Sequence, residues 1–227
     1  MNFLSHFYFE RQNTNDYFVM GVVLPDLVKN AHKDWNLNPQ KNEFLYAADP
    51  DQYAVLSGWK KHLEVDRLFH NSLFFKEQTA NLKQCILPLL NTGPVKPFFL
   101  AHIGLELVLD HLLLVENQLD VNTFYTQLSE ANTASLDRFL AQAGVPDKLL
   151  FDNFLANFIS GRYLLSYQKM ENISYALNRI CMRLWNNPFN EDQLVRLTGQ
   201  LERFKEHIAH HYLDIFEEIE TALKDQE

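Results

Sequence analysis

The stretch Gly58-Trp59-Lys60-Lys61-His62-Leu63-Glu64-Val65-Asp66-Arg67-Leu68-Phe69-His70 decides the fold. A helix turns about 100° per residue, so positions four apart drift only about 40° around its axis. His62, Asp66 and His70 therefore share one face, and three ligand-capable side chains project together. Leu63, Val65 and Phe69 carry the apolar contacts of the segment, while Lys60, Lys61 and Arg67 place positive charge around the polar row. A solvated helix face gains nothing from this arrangement; a site for a metal or a phosphate does.

The same four-residue step returns in His102-Ile-Gly-Leu-Glu106-Leu-Val-Leu-Asp110-His111. Leu105, Leu107, Val108, Leu109, Leu112 and Leu113 surround His102, Glu106 and Asp110, which predicts an almost wholly buried helix. Two carboxylates among leucines are costly unless cations or donors compensate them. A metal shared with the first helix is the simplest compensation. The alternative is that His102 and Asp110 satisfy neighbouring helix ends or an arginine.

The rest of the composition agrees with helices. In 227 residues there are 18 Phe, 9 Tyr and 3 Trp but only 7 Gly, so large side chains are plentiful and the glycine turns of a multi-stranded sheet are scarce. With 47% hydrophobic residues the chain can build a substantial core. A net charge of -9 argues against general nucleic-acid binding, which needs a basic surface. Cys85 and Cys181 both sit in apolar helical contexts and read as buried free thiols of a reducing compartment. The opening Met1-Asn2-Phe3-Leu4-Ser5-His6-Phe7 lacks the pattern of a secretory signal, and no apolar run reaches the roughly 20 residues of a membrane span. The expectation is a soluble cytoplasmic protein with no membrane or nucleic-acid partner; its oligomeric state is open.

Along the chain, residues 2–10 form a short apolar segment carrying His6. Residues 17–30 are helical in pattern, with Pro25 beginning a new turn and Asp26 at its positive end. Residues 42–48 read as a short helix. Asp49 and Pro50 supply the N-cap and first position of the helix that runs to about residue 70. A further helix ends near residue 90, and Thr92-Gly93-Pro94 closes that section. Pro97 then opens the buried helix of residues 98–117. Starts follow at Asn122, Thr133, Pro146 and Glu171 or Asn172. Residues 191–224 form one last long helix, whose His207, His210 and His211 read as solvated or packing residues. No repeat or low-complexity linker appears, so residues 1–227 read as one all-α domain, a single helical bundle.

The candidate ligands are His6, Asp26, His62, Asp66, His70, His102, Glu106, Asp110 and His111. Mixed imidazole and carboxylate donors suit manganese, zinc or ferrous iron. A divalent metal held by such a set polarises a phosphoryl oxygen and lowers the pKa of a water, the logic of a phosphoesterase. No G-x-S-x-G, P-loop or Rossmann glycine pattern offers another chemistry.

Five short motifs also resemble, in order, those of the bacterial acyl carrier protein phosphodiesterases. They are Met1-Asn2-Phe3-Leu4-Ser5-His6, Gly21-Val-Val-Leu-Pro-Asp26-Leu-Val-Lys, Gly58 with His62 and Asp66, Leu109-Asp110-His111, and Asn178-Arg179. The resemblance implies an all-α fold similar to HD-type phosphohydrolases and a divalent metal, typically manganese. It also implies hydrolysis of the phosphodiester between a carrier-protein serine and 4′-phosphopantetheine. Asp26, His62, Asp66 and Asp110 would bind metal or activate water, His111 would act from beside the metal or as an acid, and His6 would lie next to them. His70 stands where the family is expected to carry aspartate. The substrate protein is acidic, which makes Lys29, Lys33, Lys60, Lys61, Arg67 and Lys76 the docking candidates. Two other readings fit the same residues: an HD-like phosphohydrolase of a small phosphoester or nucleotide, and a non-catalytic helical binding protein.

Overall fold

A computed structural model describes residues 1–90 and 93–225; Thr92, expected in a chain-closing turn, lies outside them. Among the described residues every regular element is helical. The α-helices are α1 (Phe3–Tyr8), α2 (Asp16–Ala31), α3 (Pro50–Asn71), α4 (Leu73–Ile86), α5 (Pro97–Val115), α6 (Val121–Ala131), α7 (Ala134–Ala143), α8 (Lys148–Gly161), α9 (Met170–Met182), α10 (Glu191–Ile208) and α11 (Asp214–Lys224). A 3-10 turn, Pro39–Leu45, stands near the short helix expected at residues 42–48.

Most starts follow from caps legible in the sequence. The Asp49 carboxylate accepts from the Asp51 and Gln52 amides ahead of Pro50. Ser72, Thr133 and Asp147 cap α4, α7 and α8, and Asn190 and Gln193 close a reciprocal capping box on α10. Two expectations fail. Asn15 caps α2, which runs unbroken through Pro25, so Asp26 lies deep inside a helix and not at a positive terminus. The last helix is two, α10 and α11, because the chain turns between them to bury Tyr212, whose hydroxyl donates to Glu116 at 3.0 Å. Neither Gly nor Pro marks that break.

The chain divides into two compact units, each discontinuous in sequence. One comprises Met1–Ser5, Arg67–Gln118 and Leu165–Glu227; the other comprises His6–Asp66 and Leu119–Leu164. In the first, α5 is the central helix and packs on α4, α9 and α10. Leu105, Val108, Leu109 and Leu113 are fully buried on it. By length and composition alone α5 could cross a membrane, contrary to the expectation that no run would reach that length; 72% of its apolar window is buried inside the protein. A helix so covered serves as a core.

In the second unit α2 packs on α6 and α8, and it meets α3 at two glycines. A Cβ on Gly21 would fall on the Val55 carbonyl, and one on Gly58 would fall on the Phe18 carbonyl and 2.8 Å from the Val22 amide nitrogen. The backbones touch because both positions lack a side chain. This contact carries His62, one turn beyond Gly58, up to α2.

Candidate metal centres

The first centre belongs to the second unit. His6 from α1 and His62 from α3 stack with ring centroids 3.8 Å apart and planes 18° from parallel. His6 Nε2 lies 3.2 Å from Asp66 Oδ1, and His62 Nε2 lies 3.6 Å from Asp66 Oδ2. Both imidazoles are buried, while the Asp66 carboxylate is one-third exposed. His62 Nδ1 stands 2.8 Å from the Val22 carbonyl, which can only accept, so Nδ1 carries the proton and Nε2 keeps its lone pair. Burial, with the second imidazole beside it, lowers the His62 pKa well below the usual value and keeps the ring neutral. Burial opposes ionisation of Asp66, but favourable interactions that include His6 and His62 outweigh it and hold the carboxyl below its ordinary range. Two imidazoles and an ionised carboxylate thus share one point.

The second centre belongs to the first unit. His70, at the end of α3, meets His102 and Glu106 of α5. Nε2 of His70 is 3.1 Å from Nε2 of His102, Nε2 of His102 is 3.0 Å from Glu106 Oε1, and His70 Nε2 is 3.4 Å from the same oxygen. The Met1 α-amino group also stands 3.2 Å from Oε1. Burial would raise the Glu106 pKa; that amine and the hydrogen bonds from His102 and His70 more than offset it. The Phe75 ring meets both imidazoles edge-on at 4.9 and 5.0 Å and fixes their planes.

These distances test whether a metal suits the sites. Metal–donor bonds of about 2.0–2.2 Å place neighbouring donors about 3.0–3.5 Å apart, as along the edges of a tetrahedron or octahedron. The second triangle has those edges, and three lone-pair atoms at such spacing need a proton or a cation between them. The first has separations of 3.2 and 3.6 Å from its two imidazoles to the two oxygens of Asp66, with its ligand atoms all within 4.8 Å. Among the described residues no other group of three or more such side chains gathers in this way. Each is a two-histidine, one-carboxylate set, which leaves coordination positions open.

Other candidate residues lie elsewhere. Asp110 is in neither group: its carboxylate accepts from Asn2 Nδ2 at 2.8 Å, the Leu4 amide at 3.1 Å, the Ser5 amide at 2.8 Å and Ser5 Oγ at 2.7 Å. It satisfies the start of α1, although complete burial pushes its pKa up to about 6. His111 donates from Nδ1 to the Tyr167 carbonyl at 2.7 Å, and burial lowers its pKa. Asp26 is half-buried on α2, one turn past Val22. Leu63, expected in the apolar contact, is 39% exposed, whereas Val65 and Phe69 are buried. Of the docking candidates, Lys60 pairs with Glu43 at 2.8 Å, Lys61 stands 3.9 Å from Glu10, and Lys29 bonds to Asn36 at 2.5 Å. Arg67 is exposed near the end of α3. The Val22 carbonyl was not among the candidates, because a backbone acceptor leaves no mark in a sequence.

Fold and sites together define an all-α protein with paired imidazole–carboxylate centres. The sequence model described as acyl carrier protein phosphodiesterase matches residues 1–219, and the chain belongs to that family. No curated protein and no solved structure matches it.

Proposed function

We propose that the protein is a metal-dependent phosphodiesterase that hydrolyses the bond between a carrier-protein serine and its 4′-phosphopantetheine arm, releasing apo carrier protein. The observation that supports this reading is the convergence of two imidazoles and one carboxylate at bonding distances for a divalent ion, in a chain whose family is described by that hydrolysis. His6, His62 and Asp66 would hold one ion, and His70, His102 and Glu106 would hold another; manganese is the first candidate, with zinc or ferrous iron as alternatives. Bound there, a divalent metal supplies a polarised phosphoryl oxygen and a water of lowered pKa.

The protein's own groups prepare those positions. The Val22 carbonyl fixes the His62 tautomer so that Nε2 faces Asp66 as an acceptor. Asp66 and Glu106 stay ionised and supply the negative charge a dication requires. Asp26, one turn from Val22, is proposed as a further carboxylate of the first site. Asp110 acts as a positioning residue through the first turn of α1, whose next residue is His6. His111, its Nδ1 committed and its ring kept neutral, is suited to accept a proton at Nε2 and not to act as the acid. Lys29, Lys60, Lys61 and Arg67 remain the proposed contacts for an acidic carrier protein in a cytoplasmic setting.

Metal content of the purified protein, followed by mass spectrometry of holo carrier protein incubated with it and manganese, tests the reading. The expected result is bound divalent metal and loss of the phosphopantetheine mass, abolished by His62→Ala. Bound metal with the holo mass intact would remove the carrier protein as substrate.

A further inference from the structure

In the phosphodiesterase reading the scissile phosphate is bonded directly to a serine of the carrier protein, so it lies one side chain away from that protein's surface. The face that seats the partner must therefore border a metal centre. The second centre opens to solvent through its imidazoles: the side chains of His70 and His102 are 33% and 28% exposed, whereas both imidazoles of the first are buried. The open cleft that α4 and α10 enclose includes no residue of either centre and is not such a border.

One turn before His102, at the start of α5, Phe98 holds its ring edge-on to that imidazole with centroids 6.1 Å apart, and the residue is 58% exposed. Beside it Phe99 meets Trp185, just past the end of α9, with centroids 5.3 Å apart, and a Cβ on Gly93 would stand 3.6 Å from the Pro188 carbonyl oxygen. These contacts seat the end of α9 against the start of α5. The two helices form a layer backed by α10: Gly104 of α5 faces Leu201, and Ser174 of α9 bonds Thr198 at 2.7 Å. At about 100° per residue, Phe98, Phe99 and His102 stand about 120–160° around α5 from Gly104, and Arg179 and Arg183 stand about 140–180° around α9 from Ser174. The exposed ring, the second centre and both arginines therefore share the face of the layer turned away from α10.

The two segments that meet there are positive in an acidic protein. The chain carries 29 Asp and Glu and a net charge of -9, yet residues 78–105 and 172–190 contain neither; their charged residues are Lys83, Lys96, Arg179 and Arg183. Lys96 and Arg179 are exposed and make no ion pair among the described residues, whereas Lys60 is already paired with Glu43 at 2.8 Å.

We propose that this face, with the Phe98 ring and the cations Lys96, Arg179 and Arg183 beside the second centre, is the docking surface for the acidic carrier protein. The assignment rests on the phosphodiesterase reading above. Carboxylates of the partner pair with the cations, and an apolar side chain packs on Phe98. The serine-bound phosphate then reaches the His70–His102–Glu106 centre from the partner's surface.

Fluorescence anisotropy of labelled apo carrier protein tests this surface, because the apo form lacks the arm and reports the two protein faces alone. The expected result is saturable binding to the full protein that weakens as salt rises. Arg179→Glu should weaken it about tenfold and Phe98→Ala about fivefold. Both side chains are exposed, so neither change disturbs the core. Lys224→Glu on α11 alters the net charge as much as Arg179→Glu and should leave the affinity within about twofold. No binding by the wild type, binding unchanged by Arg179→Glu, or equal weakening by Lys224→Glu would each overturn the docking surface. Release of phosphopantetheine from holo carrier protein, followed by mass with the same proteins, is a separate outcome. Its absence alongside binding that depends on Arg179 would defeat the hydrolase reading and leave the docking surface standing.

Discussion

The two centres use the same ligand types in opposite surroundings. At His6–His62–Asp66 the imidazoles are buried, stacked on each other and tied to a backbone carbonyl, and the carboxylate is the most accessible member. At His70–His102–Glu106 the carboxylate is buried and the imidazoles are partly exposed, oriented by the edge of Phe75. The first is preorganised by packing of backbone on backbone, the second by side chains and the Met1 α-amino group. Two sets of equal composition therefore differ in how strongly the fold defends them.

That contrast is breakable at the glycines that support each side. Gly58→Ala drives a methyl into the Phe18 carbonyl of α2, where only backbone could move, and is expected to cost about 3 kcal/mol in urea unfolding. Gly104→Ala on α5 meets the Leu82 Cδ2 atom at 3.0 Å, a flexible tip, with methyls of Leu201 and Leu177 at ordinary contact distances of 3.8 and 3.9 Å, and should cost less than about 1 kcal/mol. Equal losses would show that the α2–α3 approach is not the rigid support of the first centre.

Metal binding sharpens the comparison next. His62→Ala and His102→Ala are each expected to weaken binding at their own centre by about 100-fold, with the other centre still loading. Elemental analysis at limiting manganese reads this as a drop from two ions per chain to one. Loss of both ions from either variant would mean that the sites load as a unit.

Asp110→Ala leaves the Leu4 and Ser5 amides without their acceptor and should destabilise by about 2 kcal/mol. Calorimetry reads that loss, and elemental analysis should show the second centre still binding metal, as expected of a positioning residue.

The smallest effect is in pH. In the metal-free protein buried His62 stays neutral while the unfolded chain protonates it below about pH 6.5, so unfolding takes up a proton there. Stability from this group is fully present above that pH and falls by up to about 1.4 kcal/mol per pH unit below it. The raised Asp110 pKa acts with the opposite sign between pH 6 and 4, because the folded carboxyl protonates first. Comparing the urea midpoints of wild type and His62→Gln between pH 6.5 and 5.5 isolates the histidine; identical slopes would mean that His62 is charged in the fold.

Much of this was legible in residue order. The four-residue steps on α3 and α5 gave the helices and their polar rows, and Asp49, Ser72 and Thr133 marked starts. The α5 row was misleading as a unit: His102 and Glu106 join a centre, but Asp110 turns to the start of α1. Periodicity puts residues on one face without saying what covers each turn of it. The continuation of α2 through Pro25 and the break before α11 were hidden because packing overrides local preference at both.

By itself the sequence determined the helical class, the family motifs and which side chains were able to ligate, because these depend on composition and on spacing within one helix. Only the tertiary structure decided that six of them gather as two triads, that Val22 sets the His62 tautomer, and that α4 and α10 enclose a cleft. These depend on atoms from segments 32 to more than 100 residues apart, brought together by burial of apolar faces. The order of residues along the chain does not record that pairing.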